Sequence, residues 1–451
     1  MLECGHERPP FGSPMCIHLQ ACREPWIAYL KWYVGTGVDA ELLCIQCADL
    51  RAAGQEVRVI GVCEECYEFA TYEVGNLRGI RGTPQIIVRP EPFDHELVET
   101  SLPNSVGAVL DIAPIESEGR SIWLILDESG RIFRMDADSG ECLQVASASL
   151  VAEPDHKPWV GHELRHHLHA SSDGEFAAVV NDYGRYGRVL HLRTGDMTME
   201  VDGGQYHPET VPFSFAFADT TGQVVAIHRT SWNRLDVSDP ATGRLLTQRE
   251  LKPQRNGPLP LPEHYLDYFH GALRVSPGGE HILDDGWVWH PVGVPSVWSL
   301  PSWITKNPWE SEDGPSRTDV CARENYWDHG AAWLDDTRVA IEGIGDDEMI
   351  AGARIFDVTL RGKPGPLWRE DWQWARELAA FTGPAGAFFS DGRSLFSSDP
   401  DGLSRWDPQG GARTAHLAGF TPSRHHRGAN ELMQHSGRTL TRLRIGAKDR
   451  T

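Results

Sequence analysis

The sequence predicts a mostly β protein in which a small, cysteine-rich α+β head precedes a larger, closed array of β-sheets. Seven of the nine cysteines in the 451-residue chain fall within the first 66 positions. From about residue 105 onward, short apolar strands alternate with glycine-containing turns instead. The domain boundaries that follow are a head over residues 1–75, a linker with a possible ring-closing strand over 76–104, and a body over 105–451.

The composition is that of a folded chain with at least two buried cores. Apolar residues make up 40% of the 451 residues and include 16 Trp, and a chain of this length exceeds one ordinary core. No apolar run is long enough for a membrane helix, and the first ten residues do not have the pattern of a secretory signal. We therefore expect a cytoplasmic protein with reduced cysteines and no membrane partner. The formal net charge of −22 disfavours general nucleic-acid binding, because phosphate backbones repel it.

The head contains four short pairs of potential metal ligands. Two of the pairs are Cys-x-x-Cys, and two alternate sulfur with imidazole. The eight residues are Cys4, His6, Cys16, His18, Cys44, Cys47, Cys63 and Cys66. Structural zinc takes four such ligands in a tetrahedron, so the pattern predicts two structural zinc ions. Metal binding would then supply much of the folding free energy of a head too small for a stable core of its own.

The stretch over residues 44–66 has the order expected of a zinc-binding finger. Between its two Cys-x-x-Cys pairs, apolar and β-branched residues predict a strand over 56–62, and helical spacing predicts a helix over 67–73. The stretch resembles a zinc ribbon or treble-clef finger. The resemblance implies that the two Cys-x-x-Cys pairs share one ion, with the ligands Cys44, Cys47, Cys63 and Cys66.

The first two pairs leave the sharing of ligands open. They could form a site of their own, in which Cys22 could replace one of the histidines, or His6 and His18 could be ordinary surface or capping residues. Sharing between the first and third pairs and between the second and fourth would resemble the cross-brace of RING-type domains. After Pro25, residues 26–33 predict a short aromatic helix, which either covers the metal sites or is an ordinary core helix.

The body consists of seven similar units, each with a turn, an apolar strand, a second turn and a second strand. Corresponding glycines from Gly119 to Gly392 recur about every 55 residues. A hairpin unit cannot bury its apolar face alone, whereas radial stacking around an axis buries both faces. The units therefore predict a seven-bladed β-propeller, with six or eight blades as alternatives. Residues 84–88 and 96–100 are candidates for strands that close the ring.

Two recurring features make the body similar to WD-repeat and related propellers over nearly all of residues 105–447. A Ser-Pro or Asp-Gly turn precedes a strand, and the second strand ends in Val-Trp or Phe-Asp-Val. The regular Gly-His and Trp-Asp pairs of that family are missing, apart from Arg405-Trp406-Asp407. The resemblance implies the architecture and leaves the subfamily open.

Histidines recur in the body just before the expected innermost strands. They are His169, His270, His329 and His426. A ring of imidazoles in a central channel could bind a ligand or a metal, but repeats more often reproduce packing solutions. We therefore favour hydrogen bonds from each histidine to a neighbouring blade. His162, His166, His167 and His169 form a dense cluster, which could bind a metal together with Glu163. The cluster lacks the residue order of zinc peptidases, and we expect it in a solvated loop between blades.

These patterns support two hypotheses about function. The first is a non-catalytic interaction scaffold, with structural zinc and a propeller that binds unidentified protein partners. It is favoured because the sequence contains neither a nucleophile elbow nor a phosphate-binding loop. The alternative is a metal-dependent propeller hydrolase that uses the histidines of the central funnel. No catalytic residue is assigned under either hypothesis.

Overall fold

The computed structural model shows a mostly β chain. The described residues are 14–21, 29–33, 40–63, 66–67, 70, 77–82, 97–116, 119–153, 157, 162–250, 263–289, 291–344, 349–362 and 373–445. No helix in this described part of the chain combines the length and the apolar character needed to traverse a lipid bilayer.

The described part of the head is built on one five-stranded sheet. Its strands are β1 (Met15–Cys16), β2 (Tyr29–Tyr33), β3 (Ala40–Cys44), β4 (Val59–Ile60) and β5 (Leu77–Gly82). They lie in the order β4-β1-β3-β2-β5 and carry two helices, α1 (Ile17–Ala21) and α2 (Ile45–Ala52). The core under these elements buries Met15, Trp32, Leu42, Ala48 and Ile60. The predicted strand over 56–62 is present in shorter form as β4.

Two elements of the head differ from the prediction. Residues 29–33 form β2 and not a helix, because the strand is hydrogen-bonded antiparallel to β3 on one side and parallel to β5 on the other. Aromatic residues suit such a paired strand, and local spacing does not reveal the partners. Residues 77–82, expected in a linker, form the outer strand β5 of the same sheet.

The first half of the body contains three antiparallel sheets. The first consists of β7 (Val109–Ile115), β8 (Ile122–Asp127), β9 (Arg131–Asp136) and β10 (Cys142–Ser147). The second consists of β11 (Arg165–Ala170), β12 (Phe176–Asp182), β13 (Tyr186–His191) and β14 (Met197–Asp202). The third consists of β15 (Phe215–Thr220), β16 (Gln223–Ser231) and β17 (Arg234–Ser238).

Four further sheets follow in the described residues, and the first of them is the most elaborate. It contains β18 (Phe269–Val275), β19 (His281–Val288), β20 (Val292–Gly293), β21 (Ser296–Ser299), β22 (Thr318–Asp319) and β23 (Arg323–Glu324). Two short helices interrupt it, α3 (Leu300–Thr305) and α4 (Glu310–Asp313). The fifth sheet contains β24 (Ala331–Trp333), β25 (Arg338–Ile344), β26 (Ile350–Arg361) and β27 (Ala375–Thr382).

The last two sheets bring the two ends of the body together. The sixth consists of β28 (Ala387–Ser390), β29 (Leu395–Asp399), β30 (Gly402–Trp406) and β31 (Arg413–Ala418). The seventh consists of β32 (Arg424–His426), β33 (Glu431–Ser436), β34 (Thr439–Arg444) and β6 (Leu97–Ser101). The strand β6 precedes the whole body in sequence and pairs antiparallel with β34, the last strand described. The other candidate closing strand, residues 84–88, lies outside the described residues.

Apolar clusters fill the spaces between successive sheets. Ile122 and Leu124 of the first sheet pack with Ala177 of the second, and similar clusters follow around the body. Trp123 of the first sheet shares a cluster with Met433 and Leu440 of the seventh, so the last sheet packs on the first. The first strands of successive sheets are also in contact with one another, in the order β7, β11, β15, β18, β24 and β28. The first strand of the seventh sheet, β32, contacts β7 of the first sheet. Each sheet therefore buries both of its faces.

Two glycine turns of the first sheet allow a matched test of this packing. Gly130 (φ +76°) and Gly140 (φ +77°) both follow an aspartate turn in the left-handed region. A Cβ at Gly130 would lie 2.0 Å from the carbonyl oxygen of Ala148, whereas a Cβ at Gly140 would meet nothing within 4 Å.

We expect Gly130→Ala to lower the free energy of unfolding by about 2–4 kcal/mol, since left-handed strain and a backbone clash add together. Gly140→Ala carries only the strain, about 1 kcal/mol. Equilibrium urea unfolding measures both values. Equal losses in the two variants would show that the turn at Gly130 does not pack as described.

Candidate metal centre

Three thiols and one imidazole come together in the head. Their ligand atoms all lie within 4.8 Å of one another. The four residues are Cys16, His18, Cys44 and Cys47. The Nδ1 atom of His18 is 3.1 Å from the Sγ of Cys47 and 3.8 Å from the Sγ of Cys44. A tetrahedral zinc ion, with bonds of about 2.3 Å to sulfur and 2.0 Å to nitrogen, places its ligand atoms about 3.5–3.8 Å apart. This group could therefore hold one metal ion.

The strand pairing of the head explains why these four residues meet. Cys16 ends β1 and Cys44 ends β3, and the two strands run parallel with Met15 opposite Leu42. The two strand ends therefore lie at the same edge of the sheet. The next residues of each chain segment begin a helix, so that His18 lies in α1 and Cys47 in the first turn of α2. The backbone N–H of Cys44 donates to the Sγ of Cys16 at 3.4 Å.

Burial makes the charged form of these sulfurs costly unless a positive charge lies beside them. Burial, followed by the neighbouring cysteines 44 and 16, raises the pKa of Cys47 to about 12. Burial also raises the pKa of Cys16, because desolvation penalises a charged sulfur. Metal ligation requires thiolates, and a divalent cation supplies the opposite charge that stabilises them. The positive end of α2, where Cys44 is the N-cap residue, acts in the same direction.

The structure groups the predicted ligands differently from the finger pattern. Cys44 and Cys47 lie with the Cys-x-His pair of residues 16 and 18, whereas the sequence argument placed them with Cys63 and Cys66. The buried Cys63 and the half-buried Cys66 lie outside the four-residue group. Residues 66, 67 and 70 are helical, as predicted for the segment after the second Cys-x-x-Cys pair. Cys4, His6 and Cys22 lie outside the described residues.

The pairing of the strands explains this grouping of the ligands, and the spacing of the ligands along the sequence does not reveal that pairing. The strand β1 is only two residues long, yet it pairs with β3 on one side and β4 on the other. The position of β1 between β3 and β4 brings the pair Cys16 and His18 beside the pair Cys44 and Cys47. This grouping differs from both of the pairings expected from the sequence. The signal that could have revealed it is the apolar Met15, directly before the ligand Cys16.

The repeated histidines of the body are held by separate partners. The Nδ1 of His270 is 2.5 Å from the Oδ2 of Asp284 in the same sheet, and both side chains are fully buried. His426 accepts a hydrogen bond from the backbone N–H of Ala429, and its Nδ1 lies 3.7 Å from Glu116, which follows the first strand of the first sheet. His329 stacks on Tyr326 with ring centroids 3.4 Å apart.

Within the described part of the body, no three potential ligand atoms from His, Cys, Asp or Glu come within 4.8 Å of one another. The histidines therefore do not gather at a single ion there. His169 and His167 stack with ring centroids 4.3 Å apart, and the Nε2 of His169 is buried without a hydrogen-bond partner among the described residues.

The histidine-rich segment over residues 162–169 was predicted to lie in a solvated loop. This prediction is wrong for residues 165–169, which lie in a strand. Residues 165–170 form β11, which pairs with β12 along its whole length. The Nδ1 of His166 is 2.9 Å from Asn181, and the Nδ1 of His167 is 3.0 Å from the carboxylate of Asp182. These partners on the neighbouring strand provide hydrogen bonds to the two imidazoles, so that both polar side chains can be half-buried in the sheet.

Comparison of the sequence with protein-family models gives no match, and comparison with curated proteins gives none either. Among solved structures, a chain in the "Crystal Structure of Mitotic Checkpoint Complex" matches with a TM-score of 0.45 and 10% sequence identity. The match covers 79% of this chain and 91% of that chain. A TM-score this low does not establish a shared fold.

Proposed function

We propose that this protein is a non-catalytic cytoplasmic scaffold, in which a head organised by structural zinc precedes a seven-bladed propeller that binds protein partners. The observation that carries the proposal is the convergence of Cys16, His18, Cys44 and Cys47. Three thiolates and an imidazole suit zinc, and four protein ligands close its coordination shell without an open position for water or substrate. Such an ion contributes to folding and not to chemistry.

The second zinc ion of the proposal is held by the four remaining ligands of the sequence pattern. They are Cys4, His6, Cys63 and Cys66. If Cys16, His18, Cys44 and Cys47 share one ion, the remaining two pairs again provide three cysteines and one histidine. Two ions would then cross-link the first 66 residues at two points.

The propeller part of the proposal is supported by the arrangement of the seven described sheets. Apolar clusters lie between each successive pair, and one of them joins the seventh sheet to the first. The pairing of β6 with β34 joins the beginning of the body to its end. This is how a propeller protects its sheet edges and links both chain ends in one unit of stability.

The non-catalytic part is supported by the bonding of charged groups within the body. Asp284 accepts from the backbone N–H of Gly271 at 2.8 Å as well as lying against His270. Glu342 accepts from the backbone N–H groups of Gly330 and Gly386. These groups serve the packing of the sheets. The free thiols of Cys142 and Cys321 are consistent with the proposed cytoplasmic location.

Metal counting on the full-length protein tests the scaffold against the hydrolase. We expect two zinc ions per chain by native mass spectrometry, and we expect His329→Ala to retain both, because its half-buried imidazole lies against Tyr326 and not in a ligand group. Loss of one ion in this variant, together with loss of hydrolysis of a model ester, would favour the hydrolase. Retention of both ions and specific capture of a protein partner by the full-length chain would support the scaffold.

A further inference from the structure

Two of the clustered cysteines form a Cys-x-x-Cys pair at the start of the eight-residue helix α2. Cys44 is the N-cap residue, with an extended backbone (φ −67°, ψ 163°), and Cys47 lies in the first turn. Residues three apart at a helix start lie on one face, so that their side chains can meet. In redox proteins, a Cys-x-x-Cys pair converts between a dithiol and a disulfide. The pair can therefore be oxidised as well as ligate a metal.

A third sulfur, that of Cys16, lies close to both members of the pair. The ligand atoms of the three cysteines and of His18 all lie within 4.8 Å of one another. The backbone N–H of Cys44 donates to the Sγ of Cys16 at 3.4 Å, although Cys16 precedes Cys44 by 28 residues. Because the entropic cost of closing a loop grows with its length, Cys44 should form a disulfide with Cys47 before it forms one with Cys16.

The two cysteines of the described body are in a different state from those of the metal group. Burial raises the pKa of the Cys142 thiol and that of the Cys321 thiol, so both stay protonated at neutral pH. Peroxides react with thiolates and only slowly with thiols. Metal ligation requires Cys16, Cys44 and Cys47 as thiolates. An oxidant should therefore attack the head before Cys142 or Cys321.

The metal group reaches the protein surface at His18. This residue is exposed, whereas the three cysteines are buried. The exposed fractions of Cys16, Cys44 and Cys47 are 0%, 8% and 2%. A small oxidant such as hydrogen peroxide can approach sulfurs covered to this extent, whereas a bulky one such as oxidised glutathione is hindered, because thiol–disulfide exchange depends on access to the attacking sulfur.

We propose that Cys44 and Cys47 are a site of reversible oxidation, at which hydrogen peroxide forms a disulfide and so releases the metal ion from the head. One thiolate attacks the peroxide, the O–O bond breaks, and a sulfenic acid forms as hydroxide leaves. The second thiolate attacks the sulfenic sulfur, the S–S bond forms, and a second hydroxide leaves. The two sulfurs lose two electrons in total, and the peroxide gains them.

Oxidation of the pair would remove half of the ligands of the ion. Only Cys16 and His18 of the four-residue group would remain, and two ligands do not close a tetrahedral zinc site. Because zinc binding contributes to folding, the head would lose its order together with the ion. This inference names a regulation of the head and rests on the proposed function. A reductant together with added zinc would restore the original state.

The test treats the full-length, zinc-loaded protein with hydrogen peroxide, blocks the remaining thiols with iodoacetamide and digests the chain with trypsin. Cys44 and Cys47 share the tryptic peptide of residues 32–51, which contains no other cysteine, so their disulfide leaves this peptide two hydrogens lighter and without an alkyl group. We expect this disulfide to form first, with one zinc ion released per disulfide and loss of hydrogen-exchange protection over residues 40–63. We expect oxidised glutathione at the same concentration to act at least tenfold more slowly.

The matched control is Cys142→Ser, for which we expect zinc release within about twofold of the wild-type rate. Zinc release without the disulfide in the 32–51 peptide would overturn the proposal, as would earlier oxidation of Cys142 or of another cysteine pair. Two ions that stay bound while Cys44 and Cys47 stay reduced would also overturn it, and the structural zinc of the proposed function would then stand. Absence of metal from the untreated wild type would instead refute the structural zinc itself.

Discussion

Replacing Cys47 with serine will release one metal ion and unfold the described part of the head, while the body stays folded. The sulfur of Cys47 lies 3.1 Å from the Nδ1 of His18, and a serine oxygen is a poor ligand for zinc. Structural zinc contributes about 10–16 kcal/mol in small zinc-binding domains, as much as the whole stability of many folded domains. Plasma mass spectrometry measures the metal, and hydrogen exchange measures the protection of residues 40–63.

The control for this substitution is Cys142→Ser. Cys142 is a half-buried free thiol on β10, so its replacement should leave both the metal content and the protection of the head unchanged. Wild-type protein that loses all bound metal to a chelator, yet keeps full protection over residues 40–63, would contradict a structural role for the ion.

The grouping of the ligands is tested by Cys47→Ser, Cys63→Ser and the two changes together. We expect each single variant to lose one ion and the double variant to lose two, because the two cysteines belong to different proposed sites. If the double variant loses no more metal than either single variant, the two cysteines share an ion, as the finger pattern alone implied. The number of metal ions lost therefore decides whether Cys47 and Cys63 bind different ions, as proposed here, or the same ion, as the resemblance to a zinc finger implies.

The second large effect is expected at the buried ion pair between Arg323 and Asp285. The Nη2 of Arg323 lies 2.6 Å from the Oδ1 of Asp285, and both side chains are almost completely buried. The Nη1 of Arg323 also donates to the backbone carbonyl of Glu342 at 3.1 Å, which ties the fourth sheet to the fifth. Arg323→Met would leave a carboxylate buried without its partner.

We expect Arg323→Met to lower the free energy of unfolding of the body by about 3–5 kcal/mol, as seen when one member of a buried pair is removed. Urea unfolding followed by tryptophan fluorescence measures the change. The matched control is Arg338→Met, which removes a partly exposed ion pair with Asp335, and here we expect a loss below about 1 kcal/mol. Combining Arg323→Met with Asp285→Leu should recover much of the lost stability, because it also removes the unpaired charge. A small loss in the single variant would show that water reaches the pair.

Turns and strands that depend mainly on neighbouring residues could be predicted from the local sequence pattern. The Asp-Gly turn at residues 173–174 precedes β12, as predicted for such turns, and the Phe-Asp-Val segment at residues 356–358 lies within the strand β26. The alternation of apolar residues along such strands, with glycine at positive φ in the turns, is visible in the sequence itself. The predicted helix over 26–33 was wrong for the opposite reason. Residues 29–33 of this segment are paired with β3 and β5, and β5 is distant in sequence.

The sequence alone determined the chemistry of the ligands in the head and the repeated strands of the body, because residue type and spacing carry both kinds of information. The tertiary structure decided which ligands meet, since the register of β1 against β3 brings Cys16 and His18 beside Cys44 and Cys47. It also assembled a cavity lined by residues of a turn at 231–234, a segment at 263–266 and a helix at 310–313. Residues so far apart in sequence become neighbours only when the sheets pack, and no local spacing records that packing.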